Sequence, residues 1–290
     1  MKIHFLEFKS LEELEPVTGI VSSDEQFYLV SAKNSQVHVA DKNWKVSETL
    51  SIDDTPQDAA SDSLEDEACV IVRDNKQPAL LILKSGKGEN NNYGYLMNLK
   101  SRAVEKIDLS VFYNRMRQAG LADLNLQSAV VINDKIVLCN RAADKLDNEN
   151  RLIFISGDFW KKQATADIFK AKIEWEQLPD LKLTITALTY SYENDWLILT
   201  ATADKKSGER ESGAVVDCYM GVVENAFRKS DRKRIRINES FNLSDLDPVL
   251  ENQAIESLCL QADKEKKLKL HLVSKDSSGE YYLLKLRLKS

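Results

Sequence analysis

The chain has 290 residues, of which 30% are charged and 43% hydrophobic, and its 46 acidic and 40 basic side chains leave a formal charge of -6. With 10 glycines and 5 prolines spread through a well-mixed sequence, collagen-like, low-complexity and wholly disordered architectures are excluded. The length suits two ordinary domains or one all-β ring, and the pattern of repeats decides for the ring.

The first ten residues, MKIHFLEFKS, carry Glu7 and Lys9 where an export signal needs an unbroken apolar stretch. Runs such as Ala79 to Leu83 are far shorter than the ~18 apolar residues that cross a bilayer. The expected setting is therefore cytoplasmic, with no membrane partner. Cys69, Cys139, Cys218 and Cys259 lie in or beside apolar runs without metal-like spacing, which predicts four unpaired thiols.

In chain order, a passage recurs five times: a polar residue, a small residue and an apolar strand, then an Asp/Asn turn and a second apolar strand ending in a small polar loop. The copies begin at Thr18-Gly19-Ile20, Glu67-Ala68-Cys69, Gln127-Ser128-Ala129, Thr186-Ala187-Leu188 and Glu256-Ser257-Leu258. Their turns fall at Asp24, Asp74-Asn75, Asn133-Asp134, Asn194-Asp195 and near Asp263. Asp and Asn tolerate the positive φ of a tight hairpin, so each copy predicts two antiparallel strands.

A third run follows at 37–40, 93–99, 152–155, 215–223 and 281–288, and a fourth follows the first four copies at 46–52, 104–109, 168–175 and 234–237. Four strands per repeat describe a propeller blade. The last copy ends with the chain, so Ile3 to Phe8 is expected to supply its missing strand and close the ring. The expectation is an all-β fold, a single propeller domain over residues 1–290 with five four-stranded blades, six being the alternative. A helix is predicted over Ser110 to Gly120 from Phe112, Tyr113 and Met116, with weaker helical patterns at 158–170 and 243–252.

Short motifs carry a resemblance. Asp66-Glu67-Ala68, Leu83-Lys84-Ser85-Gly86-Lys87-Gly88, Asp108-Leu109-Ser110, Leu124 to Ala129 and Cys139-Asn140-Arg141 occur in the order seen in a group of uncharacterised bacterial β-propeller proteins, itself distantly similar to esterase-like phytase propellers. The resemblance implies the propeller. The chain departs from the group's pattern at Gln127, Asp204 and Asp217-Cys218, so the resemblance is read for architecture.

In a four-stranded blade the start of the innermost strand and the loop after the second strand share one face of the ring. Thr18, Glu67, Gln127, Thr186 and Glu256 are thus expected around one mouth of the central channel, joined by the post-hairpin cations Lys33, Lys84, Lys87, Arg141, Lys205 and Lys275. Such a mouth suits a small polar or anionic ligand or a protein partner, because channel walls focus the field of their charges. The leading reading is a non-enzymatic propeller binding through Glu67, Gln127, Glu256, Lys84, Arg141, Thr18 and Thr186. The alternatives are a metal-assisted hydrolase of phosphate or ester substrates and a purely structural scaffold.

The acidic stretch from Asp53 to Glu67 holds seven carboxylates, Asp53, Asp54, Asp58, Asp62, Glu65, Asp66 and Glu67. Calcium is the cation it would suit, through Asp62, Asp66 and Glu67, although the spacing is not that of a twelve-residue calcium loop. The basic cluster Arg228, Lys229, Arg232, Lys233, Arg234 and Arg236 is read as a charged outer strand. Nucleic acid is not expected there, because the whole chain is acidic and no aromatics interleave the cluster in sequence. His4, His38 and His271 stand apart from one another, which supports neither a zinc site nor a Ser-His-Asp arrangement.

Overall fold

The computed structural model describes all residues except 12–13, 15, 32–34, 54–66, 89–90, 122, 142–149, 180, 204–216 and 265; of Glu67, Ala262 and Asp263 it describes the backbone alone. Strand β1 (Lys2–Ser10) precedes blade one, which is β2 (Val17–Ser23), β3 (Gln26–Ser31), β4 (Gln36–Ala40) and β5 (Val46–Ser51). Blade two is β6 (Glu67–Asp74), β7 (Gln77–Lys84), β8 (Tyr93–Asn98) and β9 (Val104–Asp108), followed by helix α1 (Ser110–Gln118). Blade three is β10 (Leu126–Ile132), β11 (Lys135–Asn140), β12 (Arg151–Ser156) and β13 (Ile168–Glu174). Blade four runs through β14 (Leu183–Ser191), β15 (Trp196–Ala203) and β16 (Asp217–Glu224), leaves it for β17 (Arg234–Arg236), and returns for β18 (Glu239–Asn242). Blade five is β19 (Ala254–Lys264), β20 (Lys267–Lys275) and β21 (Tyr281–Lys289), with β1 as its outer strand.

The five-blade propeller is therefore the fold, and β1 pairs antiparallel with β21 from Lys2↔Lys289 to Ser10↔Tyr282. This pairing satisfies the edge that the end of the chain would otherwise leave open. The innermost strands touch in the order β2, β6, β10, β14, β19 and back to β2, which closes the ring.

Alternation along each strand explains the apolar runs. On β7, Leu80 and Ile82 enter a core shared with blade one, while Leu81 and Leu83 enter a core shared with blade three. Both faces of a blade are buried, so its middle strands read as continuous hydrophobic stretches. Each of the five hydrophobic clusters fills one interface between neighbouring blades. Helix α1 forms where the spacing predicts it and lays Phe112, Tyr113 and Met116 into the core between blades two and three. Its Tyr113 hydroxyl donates to the Lys84 carbonyl at 2.6 Å.

The turns behave as their residues suggest. Asp24, Asn75, Asn133 and Asp195 all hold positive φ. In blade five the ladder extends to Lys264↔Lys267, so Asp263 is still within the strand pair and the turn falls one step later than expected.

Two other expectations are corrected. Residues 234–237 do not form the fourth strand of blade four. Instead β17 joins β13 in parallel, through Lys172↔Arg234 and Glu174↔Arg236, and widens blade three to five strands; β18 takes the expected place. Burial decides it: Ile235 enters the core between blades three and four, and the flanking arginines find Glu174 and Glu176 outside. The helical patterns at 158–170 and 243–252 give only single 3-10 turns, at Phe159–Lys161, Leu243–Asp245 and Pro248–Leu250. No helix among the described residues is long and apolar enough to cross a membrane.

Candidate ligand site at the channel mouth

Four of the five inner strands break register at the same place in the repeat. The breaks fall between Val17 and Gly19, Leu126 and Ser128, Ile185 and Ala187, and Ile255 and Ser257, leaving Thr18, Gln127, Thr186 and Glu256 outside the ladder. A bulge takes a residue out of strict alternation and re-aims its side chain. The polar residues expected to circle the mouth are thus the residues that the inner strands release. In blade two the register continues without a break, and Glu67 lies opposite Lys84.

Cross-blade bonds fix the level of these bulges. Ser128, one residue past the bulge in blade three, accepts from the Leu188 N–H of blade four at 2.9 Å. Ser257, the equivalent residue in blade five, accepts from the Ile20 N–H of blade one at 3.0 Å. The same bond at two interfaces sets neighbouring inner strands side by side with their bulges aligned. It also explains the small residue of the repeat, which is Gly19, Ala68, Ser128, Ala187 or Ser257. A Cβ on Gly19 would stand 2.7 Å from Cys69 Sγ and 3.2 Å from Val30 Cβ, inside the contact distance of real carbon atoms.

The released residues differ in how they are satisfied. In blade three, Gln127 Nε2 donates to Asn125 Oδ1 at 2.9 Å, and Asn140 Oδ1 accepts from the Asn125 N–H at 2.8 Å. The Thr186 and Thr200 hydroxyls of blade four meet at 3.0 Å. Glu256 is half-buried; its carboxylate and that of Asp217 add to burial in pushing the Cys218 thiol of blade four up to about 12. In blade one, Thr18 Oγ1 and Ser31 Oγ are both buried with no hydrogen-bond partner among the described residues. Ser31 ends β3 directly opposite Val17, beside the bulge.

The cations are placed less evenly. Lys84 is 2% exposed, with Nζ 5.9 Å from the centre of the Tyr93 ring. Arg141 follows β11, half-buried, and its N–H donates to the Asn125 carbonyl at 2.9 Å. Lys275 ends β20 with its ammonium 5.5 Å from the Tyr281 ring centre, and Lys87 is exposed in the loop after β7. Lys33, Lys205, Asp54, Asp58, Asp62, Glu65, Asp66 and the Glu67 side chain lie outside the described residues. Asp53 is held at the rim by Tyr95, whose hydroxyl donates to it, and by Lys106 at 3.1 Å. Among the described residues no three His, Cys, Asp or Glu side chains gather as metal ligands would.

All four cysteines are buried thiols outside any disulfide. Burial pushes the Cys139 thiol up to about 12 and raises Cys259 as well, which keeps both protonated and unreactive. The two blade-one hydroxyls split between reading and structure: Thr18 was expected at the mouth, whereas Ser31 belongs to a recurring polar strand end, with Asn140 and Ser274, from which only the following cations were chosen.

The chain belongs to a family of unknown function, DUF6929, whose model matches residues 14–288. No curated protein matches its sequence. Among solved structures, it is similar to the endo-arabinase of Bacteroides thetaiotaomicron VPI-5482, with a TM-score of 0.60 at 10% identity over 96% of each chain. It is also similar to the glutaminyl cyclase of Myxococcus xanthus, with a TM-score of 0.55 at 8% identity over 99% of this chain and 97% of that one. An exo-1,5-alpha-L-arabinanase from a bovine ruminal metagenomic library gives 0.53 at 12% identity, covering 93% and 92%. Likeness at this identity carries the propeller fold alone, since one fold hosts unrelated chemistries. The kinship with esterase-like phytases expected from the motifs is not carried by these matches.

Proposed function

For this member of a family of unknown function we propose a binding role, in which the channel mouth takes a small polar or anionic ligand at blade one. The observation that carries the reading is the pair of hydroxyls, Thr18 Oγ1 and Ser31 Oγ, buried without a partner among the described residues at a bulge of the inner strand. A buried hydroxyl without a partner costs free energy that a bound oxygen or nitrogen would recover. Both groups can donate or accept, so they suit a ligand oxygen of either kind, hydroxyl or oxyanion. Arg141 adds a planar fork of donors for an anionic group, and Glu256 an acceptor for a ligand hydroxyl.

The test is a thermal-shift screen of polyols, sugars, carboxylates and phosphates against wild type, the double variant Thr18→Val/Ser31→Ala, Glu256→Gln and Arg141→Ala. The expected result is a stabilising compound whose shift is lost in the double variant and reduced in at least one of the others. A compound that stabilises all four proteins equally would put the site elsewhere.

A further inference from the structure

The basic segment, expected from the sequence to be only a charged outer strand, acquires in three dimensions the aromatic partners it lacks along the chain. It starts on the face opposite the bulged mouth, where β16 ends, and climbs the rim between blades four and three to β17. Asp195, in the β14–β15 turn, accepts from the Phe227 N–H at 2.8 Å and from the Tyr190 hydroxyl at 2.9 Å, and its carbonyl accepts from the Ala226 N–H at 3.0 Å. Two turns of blade four are thereby locked together. They present Phe227, 45% exposed, and Tyr192, 55% exposed and braced against Tyr190 with ring centres 4.8 Å apart.

Six cations follow within nine residues, Arg228, Lys229, Arg232, Lys233, Arg234 and Arg236, against a single acid, Asp231. Arg234 and Arg236 are matched by Glu174 and Glu176 at 3.0 Å each. Lys229 donates to Asn238 Oδ1 at 2.9 Å. Arg228, Arg232 and Lys233 are exposed and form no ion pair among the described residues. The segment is not a loose tail: the Lys172 N–H donates to the Lys233 carbonyl at 2.8 Å, and Ile235 is buried between its exposed neighbours. Alternation along β17 spaces the outward arginines about 6.6 Å apart, on the order of the step between phosphates of an extended single strand.

We propose that this rim, from Tyr192 and Phe227 across Arg228 to Arg236, binds single-stranded nucleic acid, its cations tracking the phosphates and the two rings stacking bases. The charge is local, since the whole chain is net -6 and would otherwise repel a polyanion. Four of the six cations are arginine, whose planar fork matches phosphate and whose face stacks on bases. An anionic membrane fits less well, because an interfacial surface needs an apolar face, and this strip offers one exposed phenylalanine and no amphipathic helix. The site is independent of the channel mouth.

The experiment is fluorescence anisotropy of the full-length protein with labelled 15-residue oligo(dT) and oligo(U), competed by duplex DNA and by vesicles containing phosphatidylserine. With three unpaired cations on phosphates, and about 0.7 counterions released per contact on a single strand, binding should weaken roughly 10- to 20-fold between 50 and 200 mM salt. Arg228→Ala/Arg232→Ala/Lys233→Ala should weaken it at least tenfold with an unchanged melting temperature, since none of the three side chains is buried. Tyr192→Ala and Phe227→Ala should each weaken single-strand binding severalfold and leave any duplex binding unaltered. No binding at 50 mM salt, full binding by the triple variant, or preference for duplex or vesicles would overturn the proposal.

Discussion

Blades one and four carry the same threonine at the same bulge and treat it in opposite ways. In blade four, Thr200 lies opposite Ala187 and gives Thr186 its partner at 3.0 Å. The position equivalent to Thr200 in blade one is Val30, opposite Gly19, and valine has nothing to offer Thr18. The next position reverses the exchange: Ser31 stands where blade four has Ala201, and its hydroxyl is buried without a partner among the described residues. The repeat thus keeps the bulge and moves the hydroxyl by one residue, which closes one blade on itself and leaves the other with two unmatched groups. A polar residue at a repeated position marks a place; the residue opposite decides whether its hydroxyl is matched within the blade.

The largest effect is expected from opening the ring that holds both blades in register. Deleting Met1 to Ser10 strips β1 from β21 and exposes the edge of β21, whose Leu284, Leu286 and Leu288 fill the interface with blade four and whose Leu283 fills that with blade one. The expected outcome is loss of a cooperative melting transition with aggregation, read by calorimetry and size-exclusion chromatography.

Acid should act next, through the interface between blades five and one. His271 is buried in the interface between blades five and one, with the Phe27 and Trp44 rings 4.9 and 4.8 Å away and Nε2 2.8 Å from Gln261 Oε1. Burial, assisted by Lys285 and Lys269, lowers its pKa from 6.5 to about 3. As pH falls below 6.5 the unfolded chain takes up the proton and the folded one does not, so this contribution to stability is intact above 6.5 and is lost from there down to about 3. The loss is up to about 1.4 kcal/mol per pH unit. Denaturant titrations between pH 7 and pH 4.5 should show a steeper decline for wild type than for His271→Phe; parallel declines would remove the histidine from the account.

Gly19→Ala tests the close approach of blades one and two. The added methyl meets Cys69 Sγ at 2.7 Å, and overpacking of this kind costs about 1–3 kcal/mol. Cys69→Ala should recover most of that loss in a double-mutant cycle, and independent effects would show that another contact forces the glycine.

The smallest effect is the most informative about the comparison itself. Thr200→Val should orphan Thr186 and cost about 1–2 kcal/mol. Val30→Thr should give Thr18 the partner it lacks and be neutral or slightly stabilising, despite placing a hydroxyl in the core. Equal costs at the two sites would mean that Thr18 has another partner.

The propeller was legible in the sequence because its causes are local. Asp and Asn at hairpin turns, a small residue where inner strands approach, and apolar runs buried on both faces each leave a signature of one or two residues, and five copies make it visible. Arg234-Ile235-Arg236 was read as an outer strand but assigned to the wrong blade, since a three-residue alternation fits any open edge and only the burial of Ile235 chooses between them. Thr18, Gln127, Thr186 and Glu256 were picked out by repeat position, and that position is where their strands bulge. Ser31 was not chosen, because a serine at a strand end is ordinary until the bulge and Val30 deprive its neighbourhood of partners. Tyr192 escaped notice beside the basic cluster because 35 residues separate it from Phe227 in the chain and Asp195 joins them in space.

The most direct measurement is a calorimetric titration of the strongest stabilising compound from the screen into wild type, Thr18→Val/Ser31→Ala and Thr186→Val/Thr200→Val. At least a tenfold loss of affinity is expected in the blade-one variant and near wild-type affinity in the blade-four variant, whose hydroxyls already satisfy each other. Unchanged affinity in the blade-one variant, or loss confined to the blade-four variant, would contradict it.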